Sequence, residues 1–432
     1  MAKLRSNIYG VLKSIVVRVW RHFMHDSLYR NSVFLLANLG VTSITGFLFV
    51  IICTHLYSQR DLGYATSLIG ALGLATSLSN VGMNRTITRF LSKSNAKSQD
   101  LMTGLVLVAC VSVIIGIVLT LFFKPFGIKD ASSVTALVFI ASAFILSIKS
   151  VFDNVFVAMR TAVGTLTENS AFNITKLITP VMMTGFGFMG IFSSQLLGAL
   201  MAVLVSILIL RASGFSFKAR PTRSSMLGKW RFAFGSYTSD LVGGLPASIL
   251  PVIVVARLGP IDGALWYAAM QIINFMLTVS SSINQAMFAE MANATNEVMS
   301  FVKKAATAMY GIMVPLTIAI ILFSNLILKL FGHDYVSAAS VLRLMSVFAL
   351  IGVANYITGS ILALYRKVFY LTFVNAANAL VVLVYCLFFA HNLQGIAIGW
   401  MLGEVVNAIL FVGGCIFMLK RSNQLNHLIP WR

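Results

Sequence analysis

Long apolar runs separated by short polar segments set the pattern of this chain. A helix needs about 20 mainly apolar residues to cross hydrocarbon. Twelve runs reach that length: 32–56, 63–84, 101–123, 133–158, 168–190, 192–210, 232–256, 263–288, 301–323, 339–364, 369–390 and 395–419. They lack the two-residue alternation of barrel strands, so the pattern predicts an all-α polytopic membrane protein. The boundary between the fifth and sixth runs is the least marked, because its turn, GFMGIFSSQ, carries no charge. The longest polar interruption, RASGFSFKARPTRSSMLGKWR at 211–231, carries Arg211, Lys218, Arg220, Arg223, Lys229 and Arg231 and no acid. It divides the chain into two six-helix lobes, 32–210 and 232–419, with a segment 1–31 in front and a tail 420–432 behind.

Composition agrees with this division. Of 432 residues 58% are hydrophobic and 10% charged, with a mean hydropathy of +0.90, too little polar surface to cover a water-soluble fold. A net charge of +20 on a soluble domain would suggest nucleic acid. Here the basic residues fall between apolar runs, where they mark topology instead. With both termini on one side, the loops on that side hold 24 Lys and Arg and the opposite loops 5. That asymmetry predicts that both termini and the central stretch are cytoplasmic. In the first segment Ile8, Val11, Leu12, Ile15, Val19 and Phe23 share one helical face and Lys13, Arg18 and Arg21 lie off it, the pattern of a basic amphipathic helix on an anionic membrane surface. Cys53, Cys110, Cys386 and Cys415 all lie inside apolar runs at wide spacing and read as buried small hydrophobes.

The two halves repeat weakly. His55-Leu56 leads to Gly63-Tyr64-Ala65, as Arg257-Leu258 leads to Trp266-Tyr267-Ala268; Ala158-Met159-Arg160 leads to Asn169 and Asn173, as Ala363 through Arg366 leads to Asn375 and Asn378. The shared offset implies parallel repeats related by a pseudo-two-fold axis along the membrane normal. Small residues at four-residue spacing, such as Gly63, Ser67, Ala71, Ala75 and Ser79, and Gly395, Gly399 and Gly403, are marks of close helix packing.

Charge inside a span is costly and faces a partner or a watery cavity. Lys149 and Asp153, four apart, read either as a self-neutralising structural pair or as ligand groups. Lys176 has no acid within a turn and needs either a carboxylate on another helix or an anionic substrate. Arg85 and Arg89 are either topology anchors or phosphate contacts at the cavity mouth. Asp240, close to Gly243, Gly244 and Pro246, and Glu404 are candidates for binding a proton or sodium ion, with loosened backbone near Asp240 supplying further ligands. Asn84, Gln271, Asn274, Asn284 and Gln285 suit sugar hydroxyls or helix-to-helix bonds. No Walker loop, GxGxxG, HExxH or DxD signature is present, so the chain reads as a transporter and not an enzyme, with no cofactor and with coupling to H+ or Na+ as its candidate energy source.

The segment LANLGVTSITGFLFVIICTHLYSQRDLGYATSLIGALGLATSLSNVGMNRTITRF resembles the opening helices of bacterial polysaccharide flippases in the multidrug/oligosaccharidyl-lipid/polysaccharide exporter superfamily. VFDNVFVAMR and LKLFGHDYVSAASVLRLMSVFAL are similar to later parts of the same family. The resemblance implies two six-helix lobes around a cationic central cavity in a bacterial inner membrane. Its implied activity is moving an undecaprenyl-pyrophosphate-linked glycan, an O-antigen or capsule repeat unit, to the outer leaflet by alternating access. Membrane lipids, a polysaccharide polymerase and chain-length machinery are the candidate partners; nucleic acid is not. On this reading Lys149 and Lys176 hold the pyrophosphate, with Arg85 or Arg89 at the entrance. Two alternatives stay open. An ion-coupled drug exporter of the superfamily commonly keeps an acid in its first helix, and residues 32–56 contain none. A membrane polymerase or glycosyltransferase needs an acidic or arginine-rich outer loop for its chemistry, and the outer loops here are short.

Overall fold

The computed structural model describes residues 27–124, 126–128, 132–222, 230–293, 298–365 and 367–428. The amphipathic segment expected before residue 27 lies outside them, as do Arg223, Lys229 and Arg366. Without water in the bilayer core backbone N–H and C=O groups must bond internally, and helices provide those bonds. They are α1 (Ser27–Leu56), α2 (Gln59–Ser79), a short α3 (Met83–Phe90), α4 (Lys97–Thr120), α5 (Ser133–Ala158), α6 (Ala162–Met182), α7 (Phe188–Ala212), α8 (Trp230–Leu258), α9 (Pro260–Asn293), α10 (Val298–Lys329), α11 (Ala339–Leu364), α12 (Val368–Phe388) and α13 (Leu393–Leu428). Local chemistry starts some of them. Ser58 caps α2 by accepting from the Asp61 amide, and Ser132 and Thr135 form a reciprocal capping box at α5.

Eleven helices among the described residues are long and apolar enough to cross a membrane. The twelfth expected span is α6, which is long enough but more polar than the others. It begins at Ala162, six residues before the expected start, because Gly164, Thr165 and Glu168 are buried inside the lobe and do not form a surface loop.

The two lobes repeat the same helix adjacencies. In the first, α1 packs on α6, α6 on α7, α7 on α5, and α5 on α4; in the second, α8 packs on α12, α12 on α13, α13 on α11, and α11 on α10. Each helix of the second set occupies the place of its counterpart six spans earlier. The small-residue rows lie where helices approach closely: a side chain on Gly399 or Gly403 would run into α12, and one on Gly198 into Phe172. All four cysteines are free, and Cys110 is exposed, unlike the buried position expected for it. Large apolar side chains such as Ile114, Leu208, Leu322 and Phe388 cover the outside, as lipid contact requires.

Between lobes, α2 packs against both α8 and α9, and α1 against α9. At the end opposite the termini the approach is closest. A Cβ on Gly63 would overlap the carbonyl of Pro260, so only glycine allows this contact. A core of buried side chains joins the lobes there, with Phe49, Cys53 and Leu62 of the first packed against Trp266 and Phe331 of the second. At the terminal end Gly82, at φ 76, brings its backbone against Ala233. The basic stretch after α7 folds back onto the first lobe, where the Ser216 and Thr222 amides donate to Ser98 and Thr103 of α4 and Phe215 is buried.

Candidate functional site

Four deep charges of the first lobe lie on the facing helices α5 and α6. The Lys149 ammonium, 8% exposed, donates to Asp153 Oδ2 at 2.7 Å and to Asn169 Oδ1 at 2.8 Å. Its remaining side faces Glu168 Oε1 at 3.8 Å. Glu168 is fully buried, and neither carboxylate oxygen has a hydrogen bond among the described residues. Sequence reasoning missed this acid because the fifth span was expected to start at it, where a carboxylate would be solvated. The signal was its eight-residue spacing to Lys176, about two helical turns, which puts both on one helix.

Lys176, the fourth charge, is different. Its Nζ lies 4.4 Å from the centroid of the Phe49 ring and 5.8 Å from that of Phe172, and among the described residues no carboxylate is within ion-pair distance. Cation–π contact offsets part of the cost of desolvating an ammonium without neutralising it. Phe172 also faces Lys149, at 5.4 Å, so the two ammonium groups share one ring. With α6 starting at Ala162, Lys176 lies roughly 20 Å from the terminal end of its helix, deeper than a span from 168 would place it.

The terminal end of the lobe interface holds a second arrangement. Arg85 on α3 donates from Nε and Nη2 to the two oxygens of Asp240 on α8, at 2.6 and 2.8 Å. Nearby the Tyr237 hydroxyl donates to Leu78 O. The α8 helix continues through Gly243, Gly244 and Pro246, and Arg85 takes both carboxylate oxygens of Asp240. Arg89 is exposed, and its guanidinium lies over its neighbour Phe90.

In the second lobe Glu404 on α13 accepts from Asn355 Nδ2 of α11 at 2.6 Å. Asn84 and Asn284, read as sugar or helix contacts, bond to Ser150 and Ser360 on neighbouring helices.

This architecture matches known transporters. A family model described as "Polysaccharide biosynthesis protein" matches residues 28–288. Among solved structures, a multidrug resistance MATE-family transporter of the MOP superfamily in its inward-facing conformation is 15% identical, with a TM-score of 0.68, covering 91% of this chain and 99% of its own. The outward-facing conformation of such a transporter gives 0.61 at 16% identity, with coverage of 92% and 96%. A MOP-superfamily transporter from Pyrococcus furiosus, described by the reverse polarity of its binding pocket, gives 0.59 at 15% identity, with coverage of 90% and 95%. No curated protein matches.

Proposed function

Because the chain belongs to the polysaccharide biosynthesis protein family and shares the multi-pass fold of a MOP-superfamily transporter, we propose that it flips a polyprenyl-pyrophosphate-linked oligosaccharide from the cytoplasmic to the outer leaflet by alternating access. The observation that carries this reading is Lys176, an ammonium deep in the membrane with aromatic neighbours and, among the described residues, no carboxylate partner. A pyrophosphate crossing hydrocarbon needs a compensating cation, and an uncompensated lysine supplies one. Lys149 is a weaker candidate than the sequence suggests. Its ammonium already donates to Asp153 and Asn169 and lies 3.8 Å from Glu168, and one ammonium against two carboxyls leaves no surplus positive charge for a phosphate.

Two features support alternating access. The lobes are joined by an apolar core at the end away from the termini, and at the terminal end by an exposed ion pair that water can reach. On the charge asymmetry of the loops, the terminal end is cytoplasmic. Arg85 then stands at the substrate's approach, where a phosphate reaching it must first displace Asp240.

The test is complementation of a flippase-null strain. Lys176→Ala, made at normal level, is expected to lose most surface polysaccharide and to accumulate lipid-linked repeat units, while Lys176→Arg keeps function. Full restoration by Lys176→Ala would remove Lys176 from the binding site.

A further inference from the structure

The second lobe contains a cavity of about 300 Å³ to which no function has yet been attached. It lies among α8, α9, α11 and α13, and α8 and α9 are the helices of this lobe that meet the other one. We propose that this cavity is a carbohydrate subsite that holds one sugar ring of the transported glycan.

The argument starts from its lining. Asn355, Tyr356, Trp400, Glu404 and Asn407 all border it, and Gly352 keeps one wall open. Asn355 Nδ2 is committed to the Glu404 carboxylate at 2.6 Å. That leaves the amide oxygens of Asn355 and Asn407, both buried and both without a hydrogen bond among the described residues. Buried amide oxygens are rarely left unpaired, and because both residues border the cavity, a donor bound in it is a group that their amides can turn to meet. A hydroxyl is such a donor.

Size and shape select the class of ligand. At about 300 Å³ the cavity reaches the lower end of small-molecule sites, roughly 300–1,000 Å³, far more room than one desolvated ion fills. Trp400 and Tyr356 supply flat apolar faces with polar edges, which suit the C–H faces of a pyranose, while the amides and the carboxylate suit its hydroxyl rim. A proton or a small metal ion on Glu404 would leave most of this volume empty. Glu404 therefore acts here as a hydroxyl acceptor whose orientation Asn355 fixes. About 16 Å of α13 separates Glu404 from the far end of its helix, so a sugar bound there is held near mid-membrane while Lys176 takes the pyrophosphate from the other lobe. The glycan source of this sugar rests on the flippase reading; the cavity chemistry does not.

The experiment uses the full chain in lipid nanodiscs and follows its intrinsic tryptophan fluorescence. The probes are free N-acetylglucosamine, galactose and rhamnose, with tetraphenylphosphonium as a cationic comparator. At least one sugar is expected to change the emission saturably in the millimolar range. Trp400→Phe should remove that change, and Asn407→Ala, a variant that keeps the wild-type melting temperature, should weaken binding about fivefold or more, as the loss of one hydrogen bond implies. Lys176→Ala should bind the sugar like the wild type, which separates this subsite from the phosphate assignment tested in cells. If no sugar saturates, or if the signal survives both Trp400→Phe and Asn407→Ala, the proposal fails. Saturation by tetraphenylphosphonium alone, lost in Glu404→Gln, would make the cavity a cation site and equally overturn it.

Discussion

Arg85 and Asp240 lie 155 positions apart in the chain, yet their side chains meet in a two-pronged ion pair that ties the first lobe to the second. Both are about half exposed, at 58% and 49%, so water screens the attraction, and the link is worth about 1 kcal/mol at most. That suits a contact which breaks and reforms in the proposed alternating-access cycle. Losing it should shift the closed-to-open balance of this seam about fivefold. Arg85→Gln or Asp240→Asn should therefore increase distances between spin labels placed across α3 and α8, and the exchange Arg85→Asp with Asp240→Arg should bring them back. Unchanged distances in the single variants would show that the pair does not hold the seam.

Lys149 behaves as part of a packed network in this structure. Removing its charge alone leaves Asp153 and a fully buried Glu168 facing each other, and an uncompensated buried charge costs about 3 kcal/mol or more. Lys149→Met should lower the melting temperature and the yield of protein. Combining it with Asp153→Asn and Glu168→Gln, which removes the charges together, should recover most of the loss. A Lys149→Met protein that melts like the wild type but fails in transport would return Lys149 to the substrate.

Gly63 sets how closely the lobes approach away from the termini. A valine there would overlap the Pro260 backbone, which has no flexible end to yield. Gly63→Val should abolish surface polysaccharide at normal protein level. Gly311→Ala, where open space surrounds the new methyl group, should export normally and serves as the control.

The orientation read from the loops has its own check. In a cysteine-free background, Ser216→Cys on the basic stretch and Ser337→Cys at the opposite end are both exposed positions. A membrane-impermeant maleimide applied to intact cells should label the second and not the first. The reverse pattern would invert the topology.

Much of the architecture was legible in the sequence because a bilayer imposes one simple rule, long apolar helices, and the runs follow it. The span from 133 to 158 matches α5 at both ends, and the glycine rows lie at close helix contacts. Where the reading slipped, polar residues were buried inside a lobe. The Glu168 region looked like a loop, yet it forms the first turns of α6, since Lys149 on α5 lies opposite. Pro246 beside two glycines suggested an opened helix at Asp240, but α8 stays continuous, as membrane helices tolerate such residues when neighbours support the backbone. The pairing of Arg85 with Asp240 depends on how the lobes dock, and no local pattern encodes that. Lys176 was conspicuous from the start, because a lone cation in an apolar run stands out; its aromatic neighbours Phe49 and Phe172 emerge only from the packing of α1 on α6.

The most direct test of the account is a leaflet-transfer assay in proteoliposomes loaded with a polyprenyl-pyrophosphate-linked saccharide, comparing wild type with Lys176→Gln. Glutamine keeps the side chain polar and of similar length while removing its charge. The account predicts that the wild type moves the lipid-linked saccharide across the bilayer and that Lys176→Gln, equally well folded and incorporated, loses at least about tenfold in rate, the equivalent of about 1.4 kcal/mol. Equal rates for the two proteins would contradict it.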